Sequence, residues 1–378
     1  MAVVSTDFAE VVAGCSDLGL ELERAHPRPD RLHLDLREAG RRVIGQWLPD
    51  GAAAARTADV TQAVAPGLVE RRGEHFVLQH GGADARLVSL ARLVAGGAEL
   101  VVHRPERRAV VRGESAAGPV WTKAVRPRRA GDLVRRMQVA ADVPGLRAPV
   151  VTGWDEGCGT ITLSHLAGRT LHDLLHGPVV DGPAADVAEP VGEAVGVAVG
   201  ESVRRLHDAG EVDGVAGHDL GAEVDATRGL LDLARHHRAL PVGRLEALHQ
   251  DAARAAAVVF GAGRVSRRSL LHRDLHDKQL LVDVGADGAL EVGMLDVDTL
   301  GLGDPALDLG NLLAHLDLRV EQGWTDRGSA RDVEAGVLAG YRPDERTTQA
   351  AAGYRALTRA RLRALYAFRP ADRLVTRR

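Results

Sequence analysis

The string His272-Arg273-Asp274-Leu275-His276-Asp277-Lys278-Gln279 leads into two strand-like stretches, LLVDV and LEVGM, and these are followed by Asp296-Val297-Asp298. Between the stretches stands Asp287-Gly288, the dipeptide that most strongly signals a tight hairpin. Once such a hairpin closes, the loop entering its first strand and the carboxylate ending its second lie side by side. Asp274, Gln279 and Asp296 are thereby expected at one edge. Two carboxylates and one amide oxygen form a donor set suited to Mg2+ when substrate phosphates complete its octahedron. A lone Asp-x-Asp is usually a turn or a solvated face, so it is the three-part spacing that carries the information.

The rest of the chain divides by pattern. Residues 1 to 98 read as a mixed α/β cap: RLHLDLREAGRRVIGQWLPD alternates around Ala39-Gly40 as a hairpin does, and LVSLARLVAGG has helix-spaced leucines. GAAAARTADV and HGGADAR read as loops or turns. Residues 99 to 166 carry the short β-branched runs ELVVHR, RRAVVRG and PVWTKAV, one helix at AGDLVRRMQVAAD, and two further strands around EGCG. Five strands and one helix make a small sheet-rich lobe. From 167 to 378 the spacing is that of long helices, interrupted once by the hairpin at 287. The expected fold class is α+β and bilobal, with a cap in front.

Composition narrows the function. Across 378 residues, 45% are hydrophobic and 26% charged, with a net charge of −4, which is the mix of a soluble globular protein and gives no basic excess for nucleic acid. Neither a membrane span nor an export leader is visible, and only Cys15 and Cys158 could ligate a metal through sulfur or pair. A cytoplasmic location is expected. Lysine occurs only at Lys123 and Lys278, against 46 arginines. GC-rich coding explains the bias, but arginine cannot replace lysine where a compact ammonium must fit among phosphates, so both lysines are candidates for chemistry.

H-R-D-L-x-x-x-[N/Q], a hairpin and a metal-binding Asp resemble the catalytic core of protein-kinase-like phosphotransferases. Gly303-Asp304-Pro305-Ala306-Leu307-Asp308-Leu309, after Asp-Val-Asp, is similar to the aminoglycoside phosphotransferase branch, which includes choline kinase, maltokinase and glucosamine kinase. Gln279 in place of Asn resembles the maltokinase and glucosamine kinase subgroup. The likeness covers about residues 99 to 370, and residues 1 to 98 resemble that subgroup's cap. It implies a protein-kinase-like fold, with ATP as phosphoryl donor and Mg2+ as cofactor. Asp274 is then the base for the acceptor hydroxyl, and Gln279, Asp296 and Asp298 are metal ligands or their support. Lys123 falls to the α and β phosphates, Ser164 and Leu166 to the nucleotide at the link between lobes, and Lys278 to the γ-phosphate or to solvent. His272 and Asp308 are implied to hold the catalytic loop rather than to react.

Several residues depart from the family pattern. No G-x-G-x-x-G precedes Lys123; HRPERR stands there, with Arg104, Arg107 and Arg108 in place of glycine amides. The helix after Lys123 has Asp132 as its only early acidic residue, so the lysine's carboxylate partner is unassigned. Arg273 occupies a position where Gly is common.

A peptide acceptor is disfavoured, since Gly303 comes seven positions after Asp296 and no Ala-Pro-Glu element follows. A small hydroxylated molecule, such as a sugar, amino sugar or aminoglycoside-like compound, is favoured. Asp213, His218, Asp219, Glu223, Tyr366 and Arg369 are the candidate linings, the carboxylates being suited to an ammonium. Trp154 and Trp324 are available for stacking. Two other classes stay open: a nucleotide-binding pseudokinase acting on a protein partner, and a scaffold whose N-terminal segment is the working module. A P-loop NTPase is excluded, because no G-x-x-x-x-G-K-[S/T] string occurs.

Overall fold

Three layers of secondary structure follow one another along the chain in the computed structural model, which describes residues 7–116, 118–176 and 192–371. The first contains α1 (Phe8–Asp17), β1 (Leu20–Pro27), β2 (Leu32–Glu38), β3 (Arg41–Trp47), α2 (Gly51–Val64), β4 (Val69–Arg72), β5 (Phe76–Gln79) and α3 (Leu90–Ala95). Its strands form an antiparallel sheet in the order β1-β2-β3-β5-β4. The hairpin read at Ala39-Gly40 is present, with both residues at positive φ (46° and 79°) as a two-residue turn requires. GAAAARTADV is a helix, not a loop. Asp50 accepts the Ala52 amide at 2.9 Å as its N-cap, and Ala54, Ala58 and Thr61 bury one face at helical spacing. Alanine here packs rather than fills a turn.

The second layer holds β6 (Glu99–Arg104), β7 (Arg108–Ser115), β8 (Gly118–Val125), α4 (Ala130–Ala141), β9 (Val151–Asp155) and β10 (Thr160–Ser164), with strand order β6-β7-β8-β10-β9. The third begins with β11 (Arg169–Thr170), α5 (Leu171–Leu175), α6 (Glu193–Asp208), β12 (Gly217–His218), α7 (Leu220–His236), α8 (Val242–Gly261) and β13 (Ser269–Leu271). It continues through β14 (Leu280–Val284), β15 (Leu290–Met294), β16 (Gly301–Gly303), α9 (Ala306–Glu321), α10 (Arg327–Tyr341) and α11 (Glu345–Tyr366). The sheet β12-β16-β13 went unread because strands of two or three residues are too short to show alternation. Residues 177–191, part of the stretch read as long helices, lie outside the described residues. Helix α6 meets α10 through Gly196, Gly200, Gly336 and Gly340, where an added methyl would collide with the facing backbone. The result is a mixed α+β chain with antiparallel sheets in front and a helical C-terminal part.

One hydrophobic core runs through all three layers, from Phe8 and Leu34 through Met137 and Ile161 to Leu312 and Phe368. The cap is therefore packed against both lobes. Phe8 meets Phe368 edge-on at 5.1 Å, and the Ala25 amide donates to the Phe368 carbonyl at 2.8 Å.

Candidate active site

The hairpin β14–β15 pairs Leu280 with Met294, and one step further the Leu295 amide donates to the Gln279 carbonyl at 2.8 Å. That register sets Gln279 directly beside the segment bearing Asp296. Asp296 itself has φ 57° and ψ 43°, the left-handed region that costs a non-glycine residue roughly a kilocalorie. This conformation lets two carboxylates of one short segment share the same partners. Lys123 Nζ lies 3.0 Å from Asp296 Oδ1 and 2.5 Å from Asp298 Oδ1, and Arg108 Nη1 lies 2.7 Å from Asp296 Oδ1 and 3.1 Å from Asp298 Oδ2. The partner of Lys123 left unassigned by sequence is thus this pair. Asp132 is engaged elsewhere, by Arg136 at 2.8 Å.

Burial would raise the Asp296 carboxyl, but Lys123 and Arg108 outweigh it and hold the group far below the ordinary carboxylate range. The same burial would lower the Lys123 ammonium, and Asp298 and Asp296 overcome it and push it up. Asp296 and Lys123 are thus each held in the charged form by the other. The oxygen-only donors Asp296, Asp298 and Gln279, with Gln279 directing its amide nitrogen to His276 at 3.4 Å, fit a hard divalent cation, and the two cations already lodged there mark where positive charge is stabilised.

The segment bearing Asp274 is braced from below. Buried Asp308 accepts the amides of His272 and Arg273 at 2.7 Å each and faces His207 Nε2 at 3.1 Å. Asn311 donates to the Arg273 carbonyl at 3.0 Å. Arg273 has φ 70°, so the glycine usual at this position is explained by the backbone, and the bonds on either side of Arg273 offset its strain. Held this way, Asp274 is exposed on the surface of a cleft of about 800 Å³.

Lys123, Ser164, Leu166, Lys278, Gln279, Asp296, Tyr366 and Arg369 also line that cleft. Arg369 stacks over the Tyr366 ring at 3.9 Å. The remaining four acceptor candidates do not line it. Asp213 sits on an exposed turn, and Asp219 caps α7 by accepting the Ala222 amide at 2.9 Å. Glu223 and His218 face each other at 2.8 Å inside the lobe, and Glu223 reaches the cleft only through its ion pair with Arg361. Trp154 and Trp324 are not cleft residues either.

Sequence reasoning missed the cap's share. Arg24, His26, Asp35 and Arg42 line the same cleft. The alternation of RLHLDLREAGRR, which sets Asp35 and Arg42 on the polar face of one hairpin, was the available signal. Nor did the sequence show how the turn at HRPERR is held. Glu106, at φ 59°, donates its amide to buried Asp84 at 2.7 Å and ion-pairs with Arg31 at 3.0 Å, both from the cap. His276, Asp277 and His315 also cluster, but both Asp277 oxygens are taken by Arg319 at 2.7 and 3.0 Å, so this is a structural ion pair.

Residues 91–363 match the family model described as the phosphotransferase enzyme family, which accounts for most of the chain. The chain belongs to that family. Among solved structures, this phosphotransferase is similar to the aminoglycoside phosphotransferase APH(3'')-Id from Streptomyces rimosus in complex with ADP and streptomycin, at 22% identity over 72% of this chain and 97% of that one, with a TM-score of 0.49. It is also similar to the macrolide 2'-phosphotransferase MphH from Brachybacterium faecium, at 18% identity over 73% and 93% of the two chains, TM-score 0.45. A choline/ethanolamine kinase family protein from Mesorhizobium loti follows at 16% identity over 78% and 86%, TM-score 0.45. No curated protein matches the phosphotransferase. Among the described residues no helix is long and apolar enough to cross a membrane.

Proposed function

We propose that this phosphotransferase moves the γ-phosphate of ATP to a hydroxyl of a small molecule, with Asp274 as the base that accepts the hydroxyl proton. The observation that carries this reading is that exposed Asp274, Gln279 and Asp296 line one cleft, with Lys123 reaching Asp296 from β8 and pairing with buried Asp298 beside it. Bound Mg2+ would supply neutralisation of the developing charge on the β and γ oxygens, and Gln279, Asp296 and Asp298 are the residues that would hold it. Lys123, already charged and buried, would contact the α and β phosphates once they compete for its ammonium. Ser164 and Leu166 would flank the base at the link between lobes. Asp274, kept in place through Asp308 and Asn311, would orient the hydroxyl in line with the phosphorus and take its proton as the new P–O bond forms.

The direct test is ADP release from ATP and Mg2+ against a panel of sugars, sugar acids, amino sugars, aminoglycosides and nucleosides, beside nucleotide binding with and without metal. ADP formed only with acceptor and metal together supports the reading. Nucleotide binding with no transfer to any member supports the second reading, a pseudokinase. Arg108 on both carboxylates is the observation that favours it, because a guanidinium there competes with metal.

A further inference from the structure

Nine Arg and Lys side chains line the cleft against three carboxylates, Asp35, Asp274 and Asp296. Most of the cations are already spoken for: Lys123 and Arg108 by Asp296 and Asp298, Arg319 by Asp277, Arg361 by Glu223 and Arg42 by Asp35 at 3.7 Å. Among the described residues Arg24, Arg104 and Lys278 have no such ion pair. They come from three separate parts of the chain, the cap strand β1, the end of β6 and the segment after Asp274, and all line the cleft that Asp274 lines, with Arg24 near enough to act on both Arg104 and Lys278.

Arg24 is aimed by the fold. A bulge at Glu23 shifts the β1–β2 register so that Arg24 stands opposite Asp35, while Ala25 next to it is buried and tied to the Phe368 carbonyl. Arg24 and His26 thus share the cleft-facing side of the strand, and the turn bearing Tyr366 and Arg369 closes the same corner. Asp35 faces His26 at 3.6 Å and Arg42 at 3.7 Å and also feels Arg24, so one carboxylate is shared by two guanidinium groups. The electrostatics agree: burial first, then Arg108, lowers the proton affinity of Arg104. Unpaired cations at the edge of an otherwise matched cleft are a site for an anion.

Resting on the kinase reading of the cleft, we propose that the cap forms a wall of the acceptor subsite, and that the acceptor carries a carboxylate or phosphate group held by Arg24 with Arg104 and Lys278. A polycationic acceptor meets repulsion at this end.

The test uses the full chain, ATP and Mg2+ with four matched acceptors, glucose, glucosamine, glucuronate and glucose 6-phosphate, and separately measures ATP binding. The expected result is the highest kcat/KM for one of the two acids. In Arg24→Gln the KM for that acid should rise about tenfold or more, while kcat and ATP affinity stay near wild type. Arg24→Lys, which keeps the charge and spares the fold, should recover part of that loss. Which acid wins separates a carboxylate from a phosphate site. Preference for glucosamine, transfer to none of the four despite metal-dependent ATP binding, or an Arg24→Gln loss that falls equally on glucose would overturn the proposal. Failure of ATP to bind at all would instead remove the kinase reading beneath it.

Discussion

Arg108 Nη1 and Asp296 Oδ1, separated by 188 positions in the chain, meet at 2.7 Å, and the same guanidinium reaches Asp298 at 3.1 Å. A side chain from the start of β7 thereby neutralises the two carboxylates proposed to bind metal. Arg108 must give way when metal and nucleotide enter. Replacing it removes a competitor, so Arg108→Gln is expected to lower the Mg2+ concentration at half-maximal nucleotide binding by about three- to tenfold. A titration of Mg2+ at fixed nucleotide reads this, and an unchanged or higher requirement would contradict it.

Asp296→Ala removes the carboxylate that Lys123 and Arg108 share. Metal-dependent nucleotide binding should fall by at least about tenfold, while metal-free binding changes little. Calorimetric titration with and without Mg2+ separates the two quantities.

Buried Asp308 satisfies the amides of His272 and Arg273. Asp308→Ala would leave both unpaired and His207 without its carboxylate, a loss of about 3 kcal/mol by analogy with other buried networks. Urea denaturation should show it, together with a fall in turnover larger than the fall in nucleotide affinity. Wild-type stability in the variant would mean that the loop is held by other contacts.

Glu223 supplies a pH signature. Burial alone would raise its carboxyl, but Arg361 and His218 bring it down to about 2. A carboxyl depressed in the folded state contributes stability that is complete above its unfolded value, near 4.5, and that is lost as pH falls toward 2. Glu223→Gln should therefore be destabilised by about 2 kcal/mol at pH 7, and the gap to wild type should narrow below pH 4. Thermal melts across that range decide it; a constant gap would show that the ionised form is not what stabilises.

The placing of Gln279 beside the segment bearing Asp296 was legible because it is local. Asp287-Gly288 fixes the hairpin, and the hairpin fixes the neighbours of Gln279. What could not be read is what depends on contacts between distant segments. No spacing rule links Arg108 or Lys123 to Asp296, and the carboxylates near 213 to 223 seemed suitable for an acceptor only because sequence does not reveal that Glu223 points inward to His218. GAAAARTADV was misread for a related reason, since alanine's helical preference needed Asp50 as a cap and Leu48 and Val77 as a packing surface. Arg24's place in the cleft rests on a bulge at one residue of β1, which leaves no mark in composition.

Asp274 stands at the centre, and its removal is the most direct measurement. In Asp274→Ala, ADP formation with the best acceptor should fall by about a thousandfold, with metal-dependent nucleotide affinity within a factor of about two of wild type. Near-normal turnover in that variant would contradict the assignment of Asp274 as the base and with it the transfer chemistry proposed for this cleft.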